Sequence, residues 1–156
     1  MENALLGTEL LLSKKKILVV EDSCHLRELL AKMLALRGWD PILAASGREA
    51  LAKLERQTPE AILMDMRLPD ISGFQLAAIL KMHPVYRTIP ILAATGSPDD
   101  MAWQRCLSSG CDDFIAKPFA ISVLARRLTD LVLAETPRAI VATAYGTAMV
   151  MGGEDS

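Results

Sequence analysis

The chain is expected to fold as an α/β domain: a doubly wound, five-stranded parallel sheet with helices on both faces. Three features point there. Short β-rich apolar runs alternate with stretches of helical periodicity. The runs are nearly continuous rather than strictly alternating, as strands buried on both faces are. Polar or charged residues follow several of them, which is where open parallel sheets bind ligands. Five βα units in roughly 120 residues imply right-handed crossovers between parallel strands.

The first run is Ile17-Leu18-Val19-Val20. After it, Leu26, Leu29, Leu30, Met33 and Leu34 recur at helical spacing, with Ser23 as N-cap and Gly38 past the end. Pro41-Ile42-Leu43-Ala44 is the second run, and its proline predicts a strand starting at or just after Pro41. Ser46 opens a second helix carrying Ala50, Leu51 and Leu54, which stops before Thr58-Pro59. The third run is Ala61-Ile62-Leu63-Met64, followed by a helix from near Ser72 to before Pro84. In Ile89-Pro90-Ile91-Leu92 the strand again starts at or after the proline. Asp99 and Asp100 suit the positive end of a fourth helix, which Gly110 closes. Asp113-Phe114-Ile115-Ala116 is the last run, and Ile121, Leu124, Leu128, Leu131 and Val132 line one face of a fifth helix.

The 156 residues suit one domain, here 14–134, with an N-terminal extension at 1–13 and a C-terminal tail at 135–156 expected to be loosely ordered. A hydrophobic fraction of 51% is ample for a core, although aromatics are only 4%. Seventeen basic against nineteen acidic side chains give a net charge of -2, so no broad cationic surface for nucleic acid is expected. Cys24, Cys106 and Cys111 show no C-x-x-C spacing and read as free thiols in a reducing compartment. No secretory signal stands out, and the apolar stretch Ala139 to Gly153 is shorter than the ~20 residues of a spanning helix. A cytoplasmic protein without membrane contact is expected.

The chemistry lies at the strand ends. Glu21 and Asp22 leave the first strand, Asp65 the third, Thr95 the fourth, and Lys117-Pro118 the fifth. Each alone is unremarkable, since a strand-end acid is often a helix cap. Together, in a doubly wound sheet, they converge on one rim. Two carboxylates ~5 Å apart repel by ~3 kcal/mol at an effective dielectric near 20. A hard divalent cation relieves that conflict, and magnesium suits oxygen ligands with retained waters. With Lys117 as a second positive centre, the rim suits a phosphoryl group, with Asp65 as nucleophile and Thr95 as hydrogen-bond donor.

These stretches resemble the receiver domains of bacterial two-component response regulators over residues 14–134. The matching pieces are Ile17-Leu18-Val19-Val20-Glu21-Asp22-Ser23, Leu63-Met64-Asp65-Met66-Arg67-Leu68-Pro69-Asp70-Ile71-Ser72-Gly73, Ile91-Leu92-Ala93-Ala94-Thr95 and Phe114-Ile115-Ala116-Lys117-Pro118-Phe119. The resemblance implies a flavodoxin-like fold with strand order 2-1-3-4-5 and a stand-alone, chemotaxis-regulator-like protein. It makes Asp65 the phosphoacceptor. Asp22, Asp65 and the backbone carbonyl of Arg67 become magnesium ligands, with Glu21 acting mainly through water. Thr95 is the switch hydroxyl, Lys117 pairs with the phosphate, and Pro69 and Gly73 shape the loop after the acceptor. The Lys117–Pro118 peptide is expected to be cis.

The implied partners are a sensor histidine kinase or histidine phosphotransfer protein and a downstream protein target. Phosphoryl transfer onto Asp65 and its hydrolysis would be self-catalysed and magnesium-dependent, so the chain is not an enzyme in the conventional sense. Phe114 stands where the family often has tyrosine, so a partner contact through that hydroxyl is lost while an inward swing of the ring remains. Gly96 leaves the site accessible, which favours onward phosphotransfer. Trp103 is read either as ordinary packing or as part of a partner surface. Two rivals stand beside this reading. A constitutive, unphosphorylated interaction module need not keep this chemistry, and an aspartyl phosphohydrolase would place a second acid at position 67, where this chain has arginine.

Overall fold

Five apolar runs too short for helices pair side by side and hand their backbone polar groups to one another. The computed structural model describes residues 14–96 and 100–134. Its strands are β1 (Lys15–Val20), β2 (Trp39–Ala44), β3 (Ala61–Asp65), β4 (Ile91–Thr95) and β5 (Asp113–Ala116). They form one parallel sheet in the order β2-β1-β3-β4-β5, as expected. The helices are α1 (Cys24–Leu36), α2 (Gly47–Arg56), α3 (Gly73–Met82), α4 (Asp100–Ser109) and α5 (Ile121–Leu133). A 3-10 turn at Tyr86–Thr88, which helical periodicity did not announce, precedes β4.

Successive side chains of a strand point to opposite faces, and the core divides accordingly. Leu18, Val20, Ile62 and Met64 meet Leu54 of α2 and Leu76 and Leu80 of α3. Ile17, Val19 and Leu63 meet Leu30 and Leu34 of α1 and Leu124, Leu128 and Leu131 of α5. Every residue of β3 and β4 is buried, which explains their unbroken apolar runs.

Local signals set the helix ends. The hydroxyls of Ser23, Ser46 and Ser72 accept from Leu26, Glu49 and Gln75 amides, and the Ser72 amide donates to Gln75 Oε1 to complete a capping box. Gly38 and Gly110 follow α1 and α4 at φ 92° and 106°, a left-handed conformation that spares them a Cβ clash. Asp99 and the side chain of Asp100 lie outside the described residues, as do the expectations for 1–13 and 135–156.

One boundary differs from expectation. β4 starts directly after Pro90, but β2 starts at Trp39, ahead of Pro41. β2 is an edge strand paired only with β1, where Pro41 faces Ile17. A missing N–H is harmless on a side with no neighbouring strand, and Trp39, 4% exposed, anchors the extra turn of strand in the core.

At the opposite end of the sheet from the polar rim, buried Asp112 accepts from the Ile91 amide (2.8 Å) and from Lys81 Nζ (2.9 Å). Lys81 also donates to the carbonyls of Arg87 and Ile89. This tie fastens α3 and the 3-10 turn beneath β4 and β5. All three cysteines are free thiols, Cys24 exposed and the other two buried. Among the described residues no helix is long and apolar enough to cross a membrane.

Candidate functional site at the carboxyl rim

Parallel pairing decides which polar residues meet. The register Val20↔Met64 carries Glu21 to the level of Asp65, while Asp65↔Ala94 and Thr95↔Ala116 bring the ends of β4 and β5 alongside. Glu21, Asp65 and Thr95 are all buried, at 4%, 9% and 7% exposure. Charged and hydroxyl groups at such depth need partners, and Lys117 provides one for both acids. Its Nζ lies 3.0 Å from Glu21 Oε1 and 3.3 Å from Asp65 Oδ2. The other carboxylate oxygens turn to backbone: Glu21 Oε2 accepts from the Ser23 amide at 3.1 Å, and Asp65 Oδ1 from the Arg67 amide at 3.1 Å.

Lys117 is held in place by its own backbone. Its amide donates to the Thr95 carbonyl at 2.8 Å, and the Lys117–Pro118 peptide is cis. Asp22 stands one residue beyond Glu21, exposed, and its carboxylate takes no hydrogen bond or ion pair among the described residues. Counting Glu21, Asp22 and Asp65 against Lys117, three negative charges and one positive leave a formal -2 at the rim.

The loops are braced by contacts that sequence reasoning missed. Arg27 of α1 donates to the carbonyls of Glu21 (2.8 Å) and Asp22 (3.2 Å), tying the β1–α1 loop down. Asp70, in the loop after β3, accepts from the Gly47 (2.9 Å) and Arg48 (2.7 Å) amides at the start of α2. Those bonds hold its carboxyl below the ordinary 3.8, the Arg48 amide contributing most. Nothing within a few residues of Asp70 announces this partner, which lies 22 and 23 positions away. Gly73 closes the loop from the other side, its amide donating to the Met66 carbonyl at 2.9 Å. Pro69 sits exposed in the same loop.

Beside β5, Phe114 is half-buried and its ring centroid stands 5.0 Å from that of Trp103. Trp103 packs partly against the core, which favours the packing reading over a bare contact surface. Arg127 of α5 donates to Asp113 Oδ1 (3.1 Å) and to the Phe114 carbonyl (2.9 Å). Burial raises the Asp113 carboxyl despite that guanidinium.

A cleft of about 450 Å³ opens outward from Asp65. Asp65 and Arg67 line this cleft, and Asp65 offers carboxylate oxygens of the kind a small hard cation takes. Among the described residues no group of three or more His, Cys, Asp or Glu is drawn together as a metal cage.

Comparison with known proteins fits this geometry. The response regulator receiver domain model matches residues 17–129. The phosphate regulon transcriptional regulatory protein PhoB of Klebsiella pneumoniae is 33% identical over 126 residues, which cover 81% of this chain and 55% of that protein. The chain thus spans about half the length of the curated relatives it matches. Chemotaxis response regulator CheY4 of Vibrio cholerae superposes with a TM-score of 0.72 at 31% identity, covering 77% of this chain and 99% of that one. The receiver domain of sensor histidine kinase PA1611 from Pseudomonas aeruginosa does so with a TM-score of 0.72 at 33% identity, covering 78% and 99%. That structure has a magnesium ion coordinated in its active site cleft. A stand-alone, chemotaxis-regulator-like character is narrower than these matches, which include transcriptional regulators.

Proposed function

The chain belongs to the response regulator receiver domain family, a family of two-component signalling switches that accept a phosphoryl group on an aspartate, and we propose that Asp65 is that aspartate here. The donor is a phosphohistidine on a sensor kinase or on a histidine phosphotransfer protein. An Asp65 carboxylate oxygen forms the new bond to phosphorus as the bond from phosphorus to the donor nitrogen breaks, and the electron pair leaves with the imidazole.

Asp22, Asp65 and the Arg67 carbonyl, with Glu21 acting through water, would hold magnesium, which would supply positive charge to the phosphoryl oxygens. This chain's own residues do the rest. The Arg67 amide orients Asp65 through Oδ1. Lys117 already bridges Glu21 and Asp65, so its ammonium is preorganised for charge that develops on the phosphoryl group. That bridge, joining residues from β1, β3 and β5, is the observation that carries the proposal.

The switch follows from charge. Phosphorylation adds roughly -1.5 to -2 units at the rim, drawing the Thr95 hydroxyl toward the new oxygens and letting Phe114 repack. The face of α4, β5 and α5 then changes its affinity for a downstream protein, or the phosphoryl group passes on. The test is magnesium-dependent labelling by acetyl phosphate. Wild type should label and Asp65→Asn should not; undiminished labelling of Asp65→Asn overturns the assignment.

A further inference from the structure

The outer wall of the acceptor cleft carries a charge pattern opposite to its inner end. At its inner end stands Asp65, with Glu21 beside it across the Lys117 ammonium. Toward solvent the same cleft is lined by Arg67, Arg105 and the small Gly96 and Ala102. Arg105 comes from the middle of α4, and its guanidinium carbon sits 4.0 Å above the Phe74 ring centroid. Among the described residues it makes no ion pair. A guanidinium stacked on an aromatic face keeps its in-plane N–H donors available and loses much of its side-chain freedom. Arg105 is exposed, but its stacking on Phe74 narrows where its charge can sit. Arg67 shares the wall and is exposed like Arg105, but stacks on no aromatic ring among the described residues. Arg105 is therefore the better organised of the two.

In-line displacement says which anion reaches it. Asp65 attacks phosphorus from the floor of the cleft, so the leaving group must lie on the far side of phosphorus, toward the outer wall. With an acyl phosphate donor, the bond between phosphorus and the bridging oxygen breaks, and the electron pair departs with a carboxylate. No proton is needed, and a full negative charge appears on that group. We propose that Arg105, held on Phe74, forms an anion subsite for the carboxylate leaving group of small acyl phosphates, making it a specificity-determining residue for the donor. The inference rests on Asp65 being the acceptor.

Phosphoramidate separates this role from a structural one, because its nitrogen leaves protonated, as neutral ammonia. Initial labelling rates of the full chain with magnesium should be measured across acetyl phosphate and phosphoramidate concentrations. Arg105→Ala should lower the second-order rate constant with acetyl phosphate by about three- to tenfold, the effect of losing one partly exposed charge-assisted contact. The phosphoramidate rate should change less than about twofold, since no anion departs. Arg105→Lys should retain most of the acetyl phosphate rate. Phe74→Leu, which keeps the charge but removes its platform, should fall between wild type and Arg105→Ala. Equal losses with both donors, or no loss with either, overturn the subsite while leaving Asp65 in place. Failure of wild type to label with either donor instead overturns the acceptor reading beneath it.

Discussion

A single methyl group at Gly73 measures how tightly the end of β3 is packed. A Cβ there would stand 2.6 Å from the Asp65 carbonyl oxygen and 2.7 Å from both the Cα and the Cε of Met66. Carbon atoms make favourable contact at about 3.5–4.0 Å. The Met66 side chain can swing away, but the other two atoms are backbone. Gly73→Ala must therefore push the start of α3 away from β3 by most of 1 Å, an estimate from the same contact distances. Overpacking of this kind costs about 1–3 kcal/mol. The same displacement stretches the Gly73-to-Met66 hydrogen bond of 2.9 Å, losing about 1 kcal/mol more. Alanine's better helix propensity returns at most ~1 kcal/mol. The balance is a loss of about 2–3 kcal/mol, or a midpoint about 8–12 °C lower for a domain this size. Gly96→Ala is the control: a Cβ there meets nothing within 4 Å, so the change should stay within about 0.5 kcal/mol. Urea unfolding followed by far-ultraviolet circular dichroism compares the two. Unfolding of Gly73→Ala at the same urea concentration as Gly96→Ala would refute the steric reasoning.

Lys117→Gln leaves Glu21 and Asp65 facing each other with side chains 6% and 11% exposed; because Lys117 is itself partly solvated, the loss should be about 1–3 kcal/mol rather than the larger cost of a fully buried pair. Added magnesium should then raise the thermal midpoint of Lys117→Gln more than that of wild type, and equal shifts would speak against a shared acidic pocket. The Asp70 carboxyl is lowered below 3.8, so its contribution is fully present above that value and disappears as pH falls through the folded one. The thermal stability gap between wild type and Asp70→Asn should accordingly narrow on acidification below about pH 4; a gap that stays constant down that range removes the capping role. Trp39 and Trp103 are the two tryptophans, and Trp103 lies 5.0 Å from Phe114. In a Trp39→Phe background, beryllofluoride with magnesium should change Trp103 emission, and Phe114→Leu should abolish the change. Unaltered emission would count against repacking of Phe114.

The strands, the serine-capped helix starts and the glycine-closed helix ends were legible because each is decided within a few residues. Buried parallel strands demand unbroken apolar runs, an N-cap needs a short oxygen at one position, and a left-handed terminus needs glycine. The meeting of Glu21, Asp65, Thr95 and Lys117 was legible for a related reason: in a parallel sheet, residues that follow successive strands must reach the same rim. The start of β2 was misread because proline's meaning depends on whether a strand is central or at an edge, and strand order is not a local property.

Asp70 on the amides of Gly47 and Arg48, Lys81 on Asp112, and Arg105 over Phe74 had no signal along the chain. Each joins segments about 20 to 30 positions apart, and each exists only once the sheet has brought two helices or loops together. Local sequence determined the elements and the side of the sheet where chemistry would gather. Tertiary packing alone decided how that chemistry is braced and that Arg105 stacks on Phe74 beside the cleft, because long-range polar contacts are selected by the geometry of the assembled layers rather than by backbone preference.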